Sequence, residues 1–285
     1  MVVSAAIAWV TIIVTMALFE SSMIYFPDRY PVGFWDVEAV SRASGTTIHD
    51  CDLTTADGVR LHGWWCRPDS VDETATTTAD MVLLYFHGNA GNLSQRADAV
   101  VELARMPVQV FILDYRGYGR SVGRPSERGL YLDARAAWHY LVDDNGIEPE
   151  RIIILGKSLG GAVAVDLATE VEPAGLILQS TFTSIPDMAA HHYPFIPRWL
   201  IRTKMDSLSK IGRIACPVLV IHSTGDEVAP IAMGRRLLDA AGAEAWWLEI
   251  EGAAHNEVSV VGGTAYFEAI RIFIESCQSR TGGRR

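Results

Sequence analysis

Basic residues are in short supply. The 285-residue chain carries 24 Lys and Arg against 34 Asp and Glu, a formal net charge of −10. That disfavours a nucleic-acid partner, because phosphate contacts need clustered basic side chains. Cysteine is also sparse: Cys51, Cys66, Cys216 and Cys277 form no C-x-x-C pair, which argues against a zinc or redox motif. Cys51 and Cys66 flank a hairpin turn at Asp57-Gly58. A disulfide between them would need an oxidising compartment, and two reduced thiols are the favoured reading. No internal repeat is visible, and there is no sign of a second domain. A dinucleotide fingerprint is missing as well. Gly117, Gly119 and Gly123 do not make G-x-G-x-x-G, and Pro125 interrupts an early helix. Gly156-Lys157-Ser158 resembles the end of a P-loop, but its first glycine would fall on Arg151.

Charge is absent from Val2 to Phe19. As a helix this stretch would span roughly 27 Å, close to the ~30 Å hydrocarbon core of a bilayer. No basic residue precedes Arg29 and no small-x-small cleavage site follows, so a signal peptide fits less well than an uncleaved anchor. A core helix would show a polar face. The expectation is therefore a single-pass N-terminal membrane anchor over residues 1–20. Its orientation is open, because basic residues are scarce on both sides.

What is present is a globular pattern, with 49% hydrophobic residues. Thr46–Thr55 and Val59–Cys66 alternate around Asp57-Gly58 and read as a hairpin. Residues 70–80 are polar and Thr-rich, a surface loop. From Met81 onwards, apolar runs alternate with amphipathic stretches. MVLLYF (81–86), VQVFIL (108–113), RIIIL (151–155), GLIL (175–178), PVLVI (217–221) and AWWLEI (245–250) read as strands covered on both faces. Helices are expected over 95–105, 130–142, 159–168, 233–241 and 265–277. Repeated strand–helix units imply a mostly parallel sheet with helices on both faces. Sites in such sheets lie at the carboxyl ends of the strands.

Gly156-Lys157-Ser158-Leu159-Gly160 fits G-x-S-x-G between a strand and a helix, the context of a nucleophile elbow. A serine hydroxyl needs an adjacent base. Asp226 follows PVLVI and His255 follows AWWLEI, giving the chain order Ser, Asp, His expected of this architecture. His255 would take the proton of Ser158, and Asp226 would orient His255. Taken singly, Asp226 could be a helix cap and His255 a loop histidine. The backbone N–H groups of Leu159 and Asn89 are the candidate oxyanion donors, Asn89 from the His87–Asn92 loop after MVLLYF. That loop could instead be only a tight turn, and His87 reads as a structural hydrogen-bonder. Between Thr181 and Ile214 the strand–helix rhythm breaks, and His191, His192, Tyr193, Phe195 and Trp199 cluster there. Adjacent histidines seldom point the same way, so no metal site is expected from His191 and His192.

Together these segments resemble the α/β-hydrolase superfamily from about Tyr25 to Phe273. HGNAGN, DYRGYGRS, GKSLGG, the Asp226 segment and the His255 loop are similar to small, often membrane-anchored members, with depalmitoylase-related and serine-aminopeptidase-like relatives. The resemblance implies an α/β-hydrolase fold over 21–280 and a short cap over about 181–214; a disordered tail is expected over 281–285. The resemblance also implies Ser158, Asp226 and His255 as triad and Asn89 and Leu159 as oxyanion donors, with no cofactor and no metal. Ser223 departs from the pattern, since relatives usually carry glycine after the histidine. His191, Tyr193, Phe195 and Trp199 are the expected substrate contacts of the cap, suited to a small-molecule or lipidic acyl substrate. Ester or thioester hydrolysis is the leading reading. Amide or peptide hydrolysis and a non-catalytic binding role are the alternatives.

Overall fold

The computed structural model describes residues 9, 11, 13, 15, 16, 19–68, 80–106, 108–242 and 244–282. The strands, in chain order, are β1 Phe26–Pro27, β2 Thr46–Thr54, β3 Arg60–Pro68, β4 Val82–Phe86, β5 Ala90–Gly91, β6 Gln109–Leu113, β7 Ile152–Lys157, β8 Gly175–Gln179, β9 Val218–Ser223 and β10 Ala245–Ile250. Eight of them form one sheet in the order β10-β9-β8-β7-β4-β6-β3-β2. Pairs from β10 through β6 are parallel, and β3 joins β6 and β2 in antiparallel register. This is the α/β-hydrolase fold.

The apolar runs follow from burial on both faces. Along β4, Leu84 and Phe86 pack into one core cluster while Leu83 and Tyr85 pack into the other. Along β7, Ile152 and Ile154 take the first face and Ile153 and Leu155 the second. Successive side chains of a strand point to opposite faces, so a strand covered twice has no polar position to spare. Each such side chain contributes about 1.5–3 kcal/mol on burial. Helices Glu127–His139, Leu159–Ala168 and Ile231–Ala240 cover the first face. Helices Val37–Ser44, Ala97–Ala104 and Val258–Gly282 cover the second.

The hairpin forms around Asp57-Gly58, with Thr54 opposite Arg60 and Gly58 at φ +80°. All four cysteines are free. Cys51 belongs to one core cluster and Cys66 to the other, so the sheet itself separates them. The helix expected over 130–142 begins earlier, at Glu127, because Ser126 caps it by accepting the Gly129 N–H at 3.1 Å. The polar loop expected over 70–80 lies outside the described residues except for Asp80. The tail expected over 281–285 is helical through Gly282, and 283–285 lie outside the described residues.

The expectation of a membrane-spanning N-terminus is corrected. Among the described residues no helix is long and apolar enough to cross a membrane. Residues 1–8, 10, 12, 14, 17 and 18 of that stretch lie outside the described residues. The apolar side chains of Ile13 and Met16 have a protein surface to face: they line a cavity that reaches Ser158. Immediately afterwards, Glu20 is buried against the segment at 202–203.

Candidate active site

Each candidate residue stands just beyond the carboxyl end of a parallel strand: Asn89 after β4, Ser158 after β7, Asp226 after β9 and His255 after β10. Ser158 occupies a positive-φ conformation, φ 53° and ψ −117°, before the Leu159–Ala168 helix. Such backbone costs of order 1–3 kcal/mol and persists only where neighbours hold it. Here its N–H donates to Gln179 O at 2.9 Å, and its carbonyl accepts Thr181 Oγ1 at 2.8 Å and Gly161 N at 2.9 Å. The sharp turn projects the hydroxyl towards His255, whose Nε2 lies 3.0 Å from Ser158 Oγ.

On its other side, His255 Nδ1 lies 2.9 and 2.8 Å from the two Asp226 oxygens. Nδ1 donates there, leaving Nε2 free to accept from Ser158. Asp226 Oδ1 also accepts the N–H groups of Val228 and Ala229, at 3.0 and 2.8 Å. The buried His222 donates from Nε2 to Ala229 O at 2.8 Å and lies 3.4 Å from Asp226 Oδ2. Burial pushes the Asp226 carboxyl up. The hydrogen bonds from His222 and His255 outweigh it and hold the group well below the usual carboxylate range.

Ser223, the departure from the family pattern, has a use. Its hydroxyl donates to Ala253 O at 2.6 Å and accepts Gly225 N at 3.1 Å. It thereby ties the Asp226 loop to the His255 loop. Glu227 adds a second tie by accepting the His255 N–H at 2.9 Å.

The loop after β4 is held from three sides. His87 is fully buried, and burial pushes its imidazole down to about 4, so the ring is neutral. Its Nδ1 lies 2.7 Å from Gly88 O and must carry the proton, because a carbonyl only accepts. In a trans peptide the N–H lies opposite the carbonyl, so this bond turns the Asn89 N–H away from the His87 ring. Tyr115 OH donates to His87 O at 2.9 Å, and Tyr118 OH donates to Asn89 O at 2.7 Å. Asn89 O also accepts Phe26 N, and the Asn89 side chain donates to Ile24 O, both at 2.9 Å. Among the described residues neither the Asn89 nor the Leu159 N–H has an acceptor within the protein. Two unspent donors beside a serine are what a developing oxyanion needs.

A cavity of about 400 Å³ opens onto Ser158, Leu159 and Asn89. That lies within the roughly 300–1,000 Å³ typical of ligand pockets. One wall is the cap helix Ile185–His192, which presents Ile185, Met188, Ala189 and His192 at helical spacing. Of the cap residues expected to contact substrate, Tyr193 lines this cavity. His191, Phe195 and Trp199 do not, and Trp199 is 80% exposed. Helical periodicity explains part of this: His192 falls on the inward stripe and its neighbour His191 does not. His192 Nε2 donates to Val228 O at 2.7 Å, joining the cap to the Asp226 loop.

An uncharacterized protein of Mycobacterium tuberculosis is 38% identical over 256 residues, covering 90% of this chain and 87% of that one. Alpha/beta hydrolase domain-containing protein 17B of Homo sapiens is 38% identical over 227 residues, covering 79% of this chain and 75% of that one. The chain belongs to the α/β-hydrolase family. Residues 77–209 match the family described as Serine aminopeptidase, S33. Among solved structures, an esterase of Pyrococcus furiosus superposes with a TM-score of 0.71 at 20% identity, covering 90% of this chain and 98% of that one.

Within this hydrolase the elbow glycines are sterically required. A Cβ on Gly156 would sit 2.4 Å from Gly160 O, and one on Gly160 would sit 2.0 Å from Phe86 O. Both obstacles are backbone and cannot swing aside. Gly160→Ala should cost about 3 kcal/mol. That is a fall in Tm of about 6–12 °C for a domain of this size, read by circular dichroism on heating.

Sequence reasoning missed Tyr115, Tyr118, His222 and Glu20. DYRGYGRS was legible only as a glycine-rich turn after a strand. Nothing in its spacing tells which hydroxyl reaches which carbonyl in a different loop.

Proposed function

We propose that this hydrolase cleaves carboxylic ester or acyl-thioester bonds through an acyl-enzyme on Ser158. The observation that carries the reading is the 3.0 Å approach of His255 Nε2 to Ser158 Oγ at the mouth of an apolar cavity. His255 takes the hydroxyl proton as Oγ attacks the acyl carbon, and the Asn89 and Leu159 N–H groups receive the oxyanion. The proton on Nε2 then passes to the departing alkoxide or thiolate as the bond to carbon breaks. Water, deprotonated by His255, adds to the acyl-enzyme, and collapse returns the proton to Ser158 with release of the carboxylic acid.

The aminopeptidase description of the matching family favours a second reading, amide hydrolysis. An aminopeptidase needs an anionic group for the substrate ammonium. Among the described residues Glu20 is the only acidic residue lining the cavity. Its oxygens already accept from Thr203 N at 2.7 Å and from Arg202 N and Nε at 3.3 and 3.2 Å. In the cap, Asp187 is engaged by Thr183, Arg198 and Arg236, and Asp206 accepts Ser209 N. Esters and thioesters therefore rank first.

A fluorophosphonate probe tests the chemistry. Peptide mapping by mass spectrometry should find the adduct on Ser158 and nowhere else. A folded chain that resists the probe, or carries it at another residue, would sink the proposal. A panel of esters, acyl-thioesters and aminoacyl amides ranks the substrates, and preference for aminoacyl amides over every ester would put amide hydrolysis first.

A further inference from the structure

The wall of the cavity facing the cap comes from the N-terminal segment. Ile13, Met16, Glu20, Met23 and Ile24 line it, at steps of three, four, three and one. Glu20, Met23 and Ile24 belong to one short helix, Glu20–Ile24, at the spacing of a single helix face. The Ile185–His192 helix lines the same cavity through Ile185, Met188, Ala189 and His192, and so does Ser158. Two contacts hold the segment in place. At its cap end the buried Glu20 carboxylate accepts from Thr203 N, Arg202 N and Arg202 Nε. At its other end β1 pairs with β5, and Ile24 O and Phe26 N bond Asn89 directly.

His255 is not among the residues lining the cavity. A leaving group must lie within reach of His255 to receive its proton. The cavity instead reaches the Asn89 and Leu159 N–H groups that would hold the acyl oxygen, which favours the acyl side.

We propose that the N-terminal segment is the specificity wall of this hydrolase: an unbranched acyl chain lies between it and the cap, with Met16 and Met23 setting the length accepted. The inference rests on the Ser158 acyl-enzyme reading. The thioether side chains on both walls, Met16 and Met23 against Met188, adapt to a flexible chain without fixed shape. Glu20 acts as the latch that positions the wall, its carboxylate engaged by Arg202 and Thr203 where it lines the cavity.

The test uses the full chain and p-nitrophenyl esters of acetate, octanoate and dodecanoate. Wild type should prefer octanoate to acetate by about tenfold or more in kcat/KM, since each buried methylene adds apolar contact. Met16→Trp, which narrows the slot, should lower the octanoate-to-acetate ratio by about tenfold. Met16→Ala should raise the dodecanoate-to-octanoate ratio. Ethyl octanoate and octyl acetate, compared by titrating released acid, separate the two sides of the bond; the octanoyl ester should be the better substrate. Ratios unchanged in both Met16 variants, or a preference following the alcohol chain, would overturn the wall while fluorophosphonate labelling of Ser158 still upheld the hydrolase. Absence of both labelling and hydrolysis would overturn the hydrolase reading and the wall with it.

Discussion

Ser158→Ala is expected to lower kcat/KM on the preferred ester on the order of 10⁶-fold, and His255→Ala by a similar factor. The double variant should be no worse than either single one. On the proposed mechanism nucleophile and base work as a unit: an imidazole without a hydroxyl at 3.0 Å has no proton to take, and a hydroxyl without the imidazole stays a poor nucleophile. The residual rate would come from the Asn89 and Leu159 N–H groups and from substrate binding. The fold should survive. The elbow is held through backbone groups of residue 158, bonded to Gln179, Gly161 and the Thr181 hydroxyl, which alanine leaves in place. Steady-state kinetics beside circular dichroism checks both halves. Full additivity of the two losses would show that Ser158 and His255 do not act together.

The elbow was legible in the sequence because its requirements are local. A strand, two glycines pressed against backbone and a helix must be contiguous, and G-x-S-x-G records all three. Asp226 and His255 were legible because a parallel sheet sends every strand's carboxyl end to the same edge, so chain order stands in for proximity. The central strands were legible because burial on both faces leaves no polar position. The cap was read less well. Of its aromatic cluster Tyr193 lines the cavity, and composition does not say which side of a short helix faces inward. The N-terminal stretch misled for a related reason. An apolar run records that side chains need cover, and lipid and a protein groove satisfy that need alike. Glu20, one residue beyond the uncharged run, marks where the segment turns into protein: its carboxylate answers two backbone N–H groups at 202–203. Tyr115 and Tyr118 were invisible because their hydroxyls act across loops 28 and 29 residues apart.

Asp226→Asn should lower kcat by about 10⁴-fold with little change in the fold. The reason lies in which oxygen is already committed. Oδ1 accepts the N–H groups of Val228 and Ala229, and only a carbonyl can replace it there. The asparagine amide nitrogen is thereby directed to the Oδ2 position, 2.8 Å from His255 Nδ1. A donor at that place favours the tautomer with its proton on Nε2, so the imidazole meets Ser158 with a donor where an acceptor is needed. The variant also loses the charge that stabilises imidazolium as it forms. In wild type Asp226, held ionised by its hydrogen bonds, stays charged well below the usual carboxylate range. Stability depends on the same carboxyl. A carboxyl whose folded-state pKa is depressed contributes stability above its unfolded value of about 3.9 and loses it as pH falls through the folded value. The stability gap between wild type and Asp226→Asn should therefore be full near neutrality and narrow below about pH 4. Urea unfolding at pH 7 and pH 3.5 reads that gap, and kcat of both proteins at pH 7 reads the tautomer. A variant that kept wild-type kcat would remove Asp226 from the catalytic unit.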